Sequence, residues 1–137
     1  MFLLFDIGGT KMRLALSEDG KTFSEPRILT TPQDFEEAVS TVAAVARELA
    51  PGVKLVSVAG GVAGPLDRGK ARLLRAPNLP DWEGKPFKEE LERTLGAPVY
   101  LENDTALVGL GEAVVGAGRG YEIVAYLTVS TGVGGVR

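Results

Sequence analysis

A hydrophobic run that ends in an aspartate and then in two glycines constrains this chain more than any other feature. Phe2-Leu3-Leu4-Phe5 leads into Asp6, and Ile7 into Gly8-Gly9-Thr10-Lys11. Residues 2–7 read as a strand. The loose alternation of Met12, Leu14 and Leu16 reads as a second strand folded back on the first. The arrangement returns near the other end, where Ile123 to Val129 precedes Ser130-Thr131-Gly132-Val133-Gly134-Gly135. A lone glycine string is often an ordinary turn. Two of them, each directly after a hydrophobic strand, suggest backbone brought close to a ligand.

Between these turns the pattern alternates strands and helices. Asp19-Gly20 marks a second turn, with a third strand near 22–30 completing an antiparallel meander. Residues 32–50 predict the clearest helix, with Thr31 as its cap and Pro32 in the first helical position. Phe35, Val39, Val42, Ala46 and Leu49 form its apolar stripe, and Pro51-Gly52 ends it. Val53 to Ala59 reads as a buried parallel strand. Gly60 to Pro80 reads as loop with one short hairpin. Pro86 opens a second helix that Gly96 closes, and a short strand over 98–101 follows. A third helix, capped by Asp104, is expected to run to about Ala117 and to bury Leu107, Leu110 and Val114. The whole predicts an α/β fold, a mixed sheet of antiparallel meander plus parallel strands flanked by helices. Gly116 to Gly120 is a hinge by composition. It divides an N-terminal domain, 1–118, from residues 119–137, which are too short for a domain of their own.

Composition removes several function classes. Net charge is −3 with no basic block, so nucleic acid is not an expected partner. No apolar run approaches a membrane span. The N-terminus lacks the basic region of a leader peptide, and a cytoplasmic location is expected. Cysteine and histidine are absent, which excludes disulfides and His or Cys metal sites within these 137 residues.

Five segments carry residues suited to chemistry. In Asp6 to Lys11, the glycines let backbone N–H groups approach phosphate oxygens. Thr10 offers a hydroxyl, Lys11 a charge, and Asp6 a carboxylate for Mg²⁺ through water. An ordinary hairpin turn would look the same. Gly60-Gly61-Val62-Ala63-Gly64 is read as directly following a buried strand, where α/β sheets bind ligands, or as a tight turn. In Asn78-Leu79-Pro80-Asp81-Trp82, Asn78 can meet ligand hydroxyls and Trp82 can wall a pocket, or the segment is a proline turn with a packed tryptophan. In Glu102-Asn103-Asp104, Asp104 is either a helix cap or a general base, and a helix N-terminus favours negative charge there. Thr131 and Gly132 belong to the second glycine turn.

In order and spacing these five segments resemble the ROK family of sugar kinases, within the actin/hexokinase superfamily. Asp6 to Lys11 is similar to its opening Asp-x-Gly-Gly-Thr-Lys motif, and Asn78 to Trp82 to its Asn-Leu-x-x-Trp segment. Glu102 to Asp104 with Gly111-Glu112 is similar to its Glu-Asn-Asp motif, and Thr131 to Gly135 to its second phosphate loop. Asp81 and Ala106 stand where the family often has Gly and Asn. Ser130 and Val136 stand where it has glycines.

The resemblance implies an actin-like, ribonuclease H-like ATPase fold and ATP-dependent phosphorylation of a hexose, glucokinase-like. It implies Asp104 as the base, with Asn78, Asn103, Asp104 and Gly61 on the sugar. Asp6, Gly8, Gly9, Thr10, Lys11, Thr131 and Gly132 would serve ATP, with Asp6 near Mg²⁺. The family's second domain carries the adenosine pocket, further sugar ligands and a zinc motif, none of them within these residues. The chain is therefore expected to be an N-terminal lobe, inactive alone, with residues 119–137 opening a second domain. Its strand at 121–130 is expected to be disordered, swapped or paired with another chain. A homo-oligomer is expected for the intact protein. Two other readings compete. One is a ROK-type sugar-responsive regulator, for whose helix-turn-helix a strand starting at Met1 leaves no room. The other is a non-catalytic actin-like protein, which has no need of Asn78 or of Glu102-Asn103-Asp104.

Overall fold

A computed structural model describes residues 1–129 and 133–137. The meander begins with β1 (Phe2–Ile7), β2 (Lys11–Ser17) and β3 (Arg27–Thr30). Then come α1 (Phe35–Leu49), β4 (Ser57–Val62), α2 (Phe87–Leu95), β5 (Val99–Asn103) and α3 (Asp104–Val114). β6 (Tyr126–Val129) and β7 (Val133–Val136) finish the chain. The main sheet has the order β3-β2-β1-β4-β5. β1 runs antiparallel to β2 and parallel to β4, which runs parallel to β5. This is the mixed sheet the sequence predicts.

Strand alternation gives the sheet two unlike faces. Leu3, Phe5, Ile7, Met12, Leu14, Val58, Val62, Val99 and Leu101 are buried in the core. α1 and α2 cover this face. Phe87 sits among Phe5, Phe35 and Trp82, with ring centroids 6.3, 6.2 and 5.1 Å away. The opposite face carries the cross-strand row Arg13, Asp6, Gly61 and Glu102, and α3 lies over its β4 and β5 end.

Several local readings change. α1 starts at Phe35, and its cap is Asp34, whose carboxylate accepts the Glu37 N–H at 2.7 Å. Thr31 instead donates its hydroxyl to Gly8 O at 2.8 Å, fastening the glycine turn. The third strand is only Arg27–Thr30, because Asp19 gathers the Lys21 and Thr22 N–H groups into a turn. Gly60 and Gly61 lie within β4, not after it. A side chain at Gly60 would strike the Phe5 carbonyl and come within 2.5 Å of its ring. Asn103, not Asp104, caps α3, accepting the Ala106 N–H at 3.1 Å. α3 ends at Val114, and Leu110 and Val114 are more than half exposed, so of the predicted buried face only Leu107 is partly buried, over Gly61. Gly109 is instead the buried residue of α3. A Cβ there would collide with Val136 and lie 3.2 Å from Tyr126 Cβ, because the β6–β7 hairpin rests on the helix.

The last strand finds its partner in its own chain. β6 pairs antiparallel with β7 in a two-stranded sheet separate from the main one. That corrects the expectation of disorder for β6, and the pair stays outside the main sheet. The glycine-rich stretch before it is a hydrogen-bonded turn. Gly118 N–H donates to Glu112 O and Ala117 N–H to its carboxylate, both at 2.9 Å. No helix among the described residues is long and apolar enough to cross a membrane.

Candidate functional site

The C-terminal ends of the parallel strands β1, β4 and β5 lie side by side, as Ile7, Val62 and Asn103 share one register row. Each end delivers one of the segments singled out in the sequence. β1 leads into Gly8-Gly9, β4 into Ala63-Gly64, and β5 into Asn103-Asp104. Gly64 adopts φ +132°, and a Cβ there would lie 2.8 Å from Arg75 O, so glycine is required.

Three close approaches join these segments. Gly9 packs on Asn78 so tightly that any Cβ at Gly9 would collide with the asparagine's Cβ. Gly61 faces α3, with a Cβ position 3.1 Å from Asp104 Cα and 3.2 Å from Leu107 Cδ1. Asn103 Nδ2 donates to Gly64 O at 3.0 Å. The candidate phosphate turn, the asparagine loop and the Asp104 corner therefore meet along one edge of the sheet. Gly8 uses its own N–H inside the turn, 2.9 Å from Lys11 O. Thr10 and Lys11 are exposed at the tip. Thr131 and Gly132 lie outside the described residues.

Asp104 is held by one oxygen. Its Oδ1 accepts from Thr105 N at 2.7 Å, Asn103 Nδ2 at 3.1 Å and Thr105 Oγ1 at 3.4 Å. Those bonds leave Oδ2 as the oxygen that can meet a ligand. Asn103 is engaged more fully. Both its donors serve Gly64 O and Asp104, and its Oδ1 caps α3, so a ligand hydroxyl can reach only the second lone pair of Oδ1.

Two other candidates take different places. Trp82 is fully buried and donates Nε1–H to Gln33 O at 3.2 Å, so it is a core residue and not a pocket wall. Asp81 accepts the Phe35 N–H at 3.0 Å, which uses its carboxylate on the first turn of α1.

Asp6 is paired with Arg13 at 2.7 Å, both about half exposed. Among the described residues no group of three acidic, His or Cys side chains converges to hold a metal. One carboxylate suits a Mg²⁺ ion carried largely by phosphates and water, which is how this hard, reluctantly dehydrated cation is commonly bound. Arg13 was missed in the sequence, although a hairpin centred on Gly8-Gly9 sets it opposite Asp6. Lys70 was missed too. It pairs with Glu102, which also accepts the Asn103 N–H at 3.0 Å. Burial raises the Glu102 carboxyl, but the Lys70 ammonium and the Asn103 N–H outweigh this and hold it below its ordinary value. A cavity of about 710 Å³ lies between β5, α3 and the hairpin. It takes in Lys70 and Glu102 but none of Asp6, Asn78, Asn103 or Asp104.

Comparison with known proteins gives a consistent picture. The model of the ROK family matches residues 3–136. A glucokinase of Thermotoga maritima is 36% identical over 132 residues, covering 95% of this chain and 42% of its own length. The structure of a ROK family glucokinase from Streptomyces griseus, in complex with glucose and AMPPNP, superposes with a TM-score of 0.83. It is 34% identical, over 97% of this chain and 43% of that one. A ROK hexokinase from Thermus thermophilus gives 0.84 at 35% identity, over 98% and 45%. The chain thus spans less than half the length of these relatives, and its fold is that of the ROK sugar kinases, the actin-like ATPase fold.

Proposed function

The chain belongs to the ROK family, and from that premise we propose that it is the N-terminal lobe of an enzyme that phosphorylates a hexose hydroxyl with ATP. The observation that carries this reading is the meeting of Gly9 with Asn78 and of Gly61 with Asp104. It sets a turn suited to phosphate beside groups suited to sugar hydroxyls. Phosphoryl transfer depends mainly on such positioning and on charge stabilisation.

In this reading Asp104 accepts the proton of the attacked hydroxyl on Oδ2, while Thr105 and Asn103 hold Oδ1 and fix the plane of the carboxylate. Asn103 Oδ1 accepts from one sugar hydroxyl, Asn78 bonds another, and the backbone of Gly61 lines the sugar. Gly9, Thr10 and Lys11 approach the ATP phosphates, with Gly8 bracing the turn, and Thr131 and Gly132 serve the phosphates as well. Asp6 would be the carboxylate that holds Mg²⁺ through water, and the ion, when bound, would neutralise charge on the phosphates. Residues 119–137 begin a second domain, and residues 1–137 alone turn over no hexose.

The test is a panel of hexoses offered to the full-length protein with ATP and Mg²⁺, read by ADP release and by calorimetric binding of each sugar. Phosphorylation of at least one hexose is expected. Binding and turnover of none would overturn the reading.

A further inference from the structure

Lys70 is the one non-glycine residue among the described residues with a left-handed backbone, at φ +50°. Side chains other than Gly, Asn and Asp seldom adopt this conformation, because Cβ crowds the carbonyl. The Asp67 turn imposes it. Asp67 O accepts the Lys70 N–H at 2.9 Å, and its carboxylate accepts the Ala71 and Arg72 N–H groups at 2.7 and 3.2 Å. The result aims the Lys70 ammonium at Glu102, 32 residues away in sequence. Glu102 uses its other oxygen on the Asn103 N–H. Asn103 in turn donates to Gly64 O, just before the same loop, and to Asp104 Oδ1. The loop that follows β4 is thus tied twice to the β5–α3 corner, once by Lys70 and once by Asn103.

An exposed ion pair contributes little to stability. The Asp67 turn fixes the backbone from which Lys70 reaches Glu102, and this pair together with the Asn103–Gly64 bond ties the loop to the Asp104 corner at two points. We propose that Lys70 and Glu102 are positioning residues. Together they set the Asn103 peptide, and through it the orientation of Asp104, against the loop that carries Asn78. This rests on the reading of Asp104 as the base. Neither residue touches substrate in it.

The test compares Lys70→Met, Lys70→Arg, Glu102→Gln and Asp104→Asn in the full-length protein, with ATP and the preferred hexose. Lys70→Met and Glu102→Gln are expected to lower kcat/KM about tenfold, mostly in kcat, as small misplacements of a reacting group do. Lys70→Arg is expected to restore most of the loss, and the melting temperatures should stay near that of the parent. If Lys70→Met unfolds the protein, Lys70→Gly replaces it, relieving the backbone while removing the ammonium. A second reading needs no turnover. The pH midpoint of the Asn103 amide shift should move upward in Lys70→Met, because Glu102 loses its cation. Parental kcat/KM in Lys70→Met, equal damage in Lys70→Met and Lys70→Arg, or an unmoved midpoint would each overturn the inference. Asp104→Asn separates the two levels. If it turns over hexose normally, the base assignment fails and the positioning role falls with it. If it is inert while Lys70→Met is unimpaired, only the positioning role fails.

Discussion

The two faces of the main sheet are built from the same strands and follow opposite rules. On the α1–α2 side, alternate residues are large and apolar except at Gly60, which makes room for Phe5, and four aromatic rings pack together. On the α3 side, the row Arg13, Asp6, Gly61, Glu102 carries three charged side chains and one position with no side chain at all. The first face gains stability from buried apolar area. The second gives up that area and gains room, since Gly61 lets the backbone of Asp104 come down onto the sheet. One face holds the fold, and the other is free to hold polar groups where a ligand can reach them.

That division can be broken by substitutions on either side. The largest effect is expected from Asp104→Asn in the full-length protein, which should lower kcat by ~10²–10⁴-fold, the usual worth of a general base. Calorimetric hexose affinity and the melting temperature should change little. A loss of folding would mean that the corner also serves stability. On the other face, Phe87→Ala should cost about 3–5 kcal/mol in denaturant unfolding, as removal of a fully buried aromatic does. Hexose affinity of the folded protein should remain. Gly9→Ala sits where the two functions touch, because its methyl must displace Asn78. It should raise the hexose KM about tenfold, by analogy with other small misplacements. An unchanged KM would remove Asn78 from the sugar site. The smallest effect belongs to Asp19, far from the site. The Thr22 and Lys21 N–H groups hold its carboxyl at about 2, below its ordinary 3.8. A depressed carboxyl adds stability above its unfolded value and loses it as pH falls, here between about 3.8 and 2. Asp19→Asn should flatten acid unfolding in that window and leave its course above pH 5 unchanged.

Much of the dry face was legible in the sequence, because period-2 and helical stripes report burial on one side of an element. The hairpin around Gly8-Gly9, the stripe of α1 and the left-handed Gly96 that closes α2 all follow local rules. Gly60 and Gly61 were read as a turn because glycine weakens strands. Their presence in β4 depends on Phe5 and Asp104, which are distant in sequence. Asn103 and Asp104 are both good caps, so composition left the start of α3 uncertain by one residue. Leu110 and Val114 match the helical period yet stay exposed, since the hairpin meets α3 at Gly109 instead. Asp104, Asn78 and the glycine turn stood out in the sequence as residue types suited to chemistry. Lys70 did not, as its partner is fixed only by tertiary approach.

Helix α3 has a mechanical consequence. Its first residue is Asp104, Thr105 lies against Gly134 of the hairpin, and Gly109 seats Val136. Five residues of helix span about 7.5 Å with no soft joint between them. The carboxylate and the hairpin are therefore mounted on one rod. Because Asp104 is also seated on Gly61, the helix registers the hairpin to the main sheet at a fixed distance from the carboxylate.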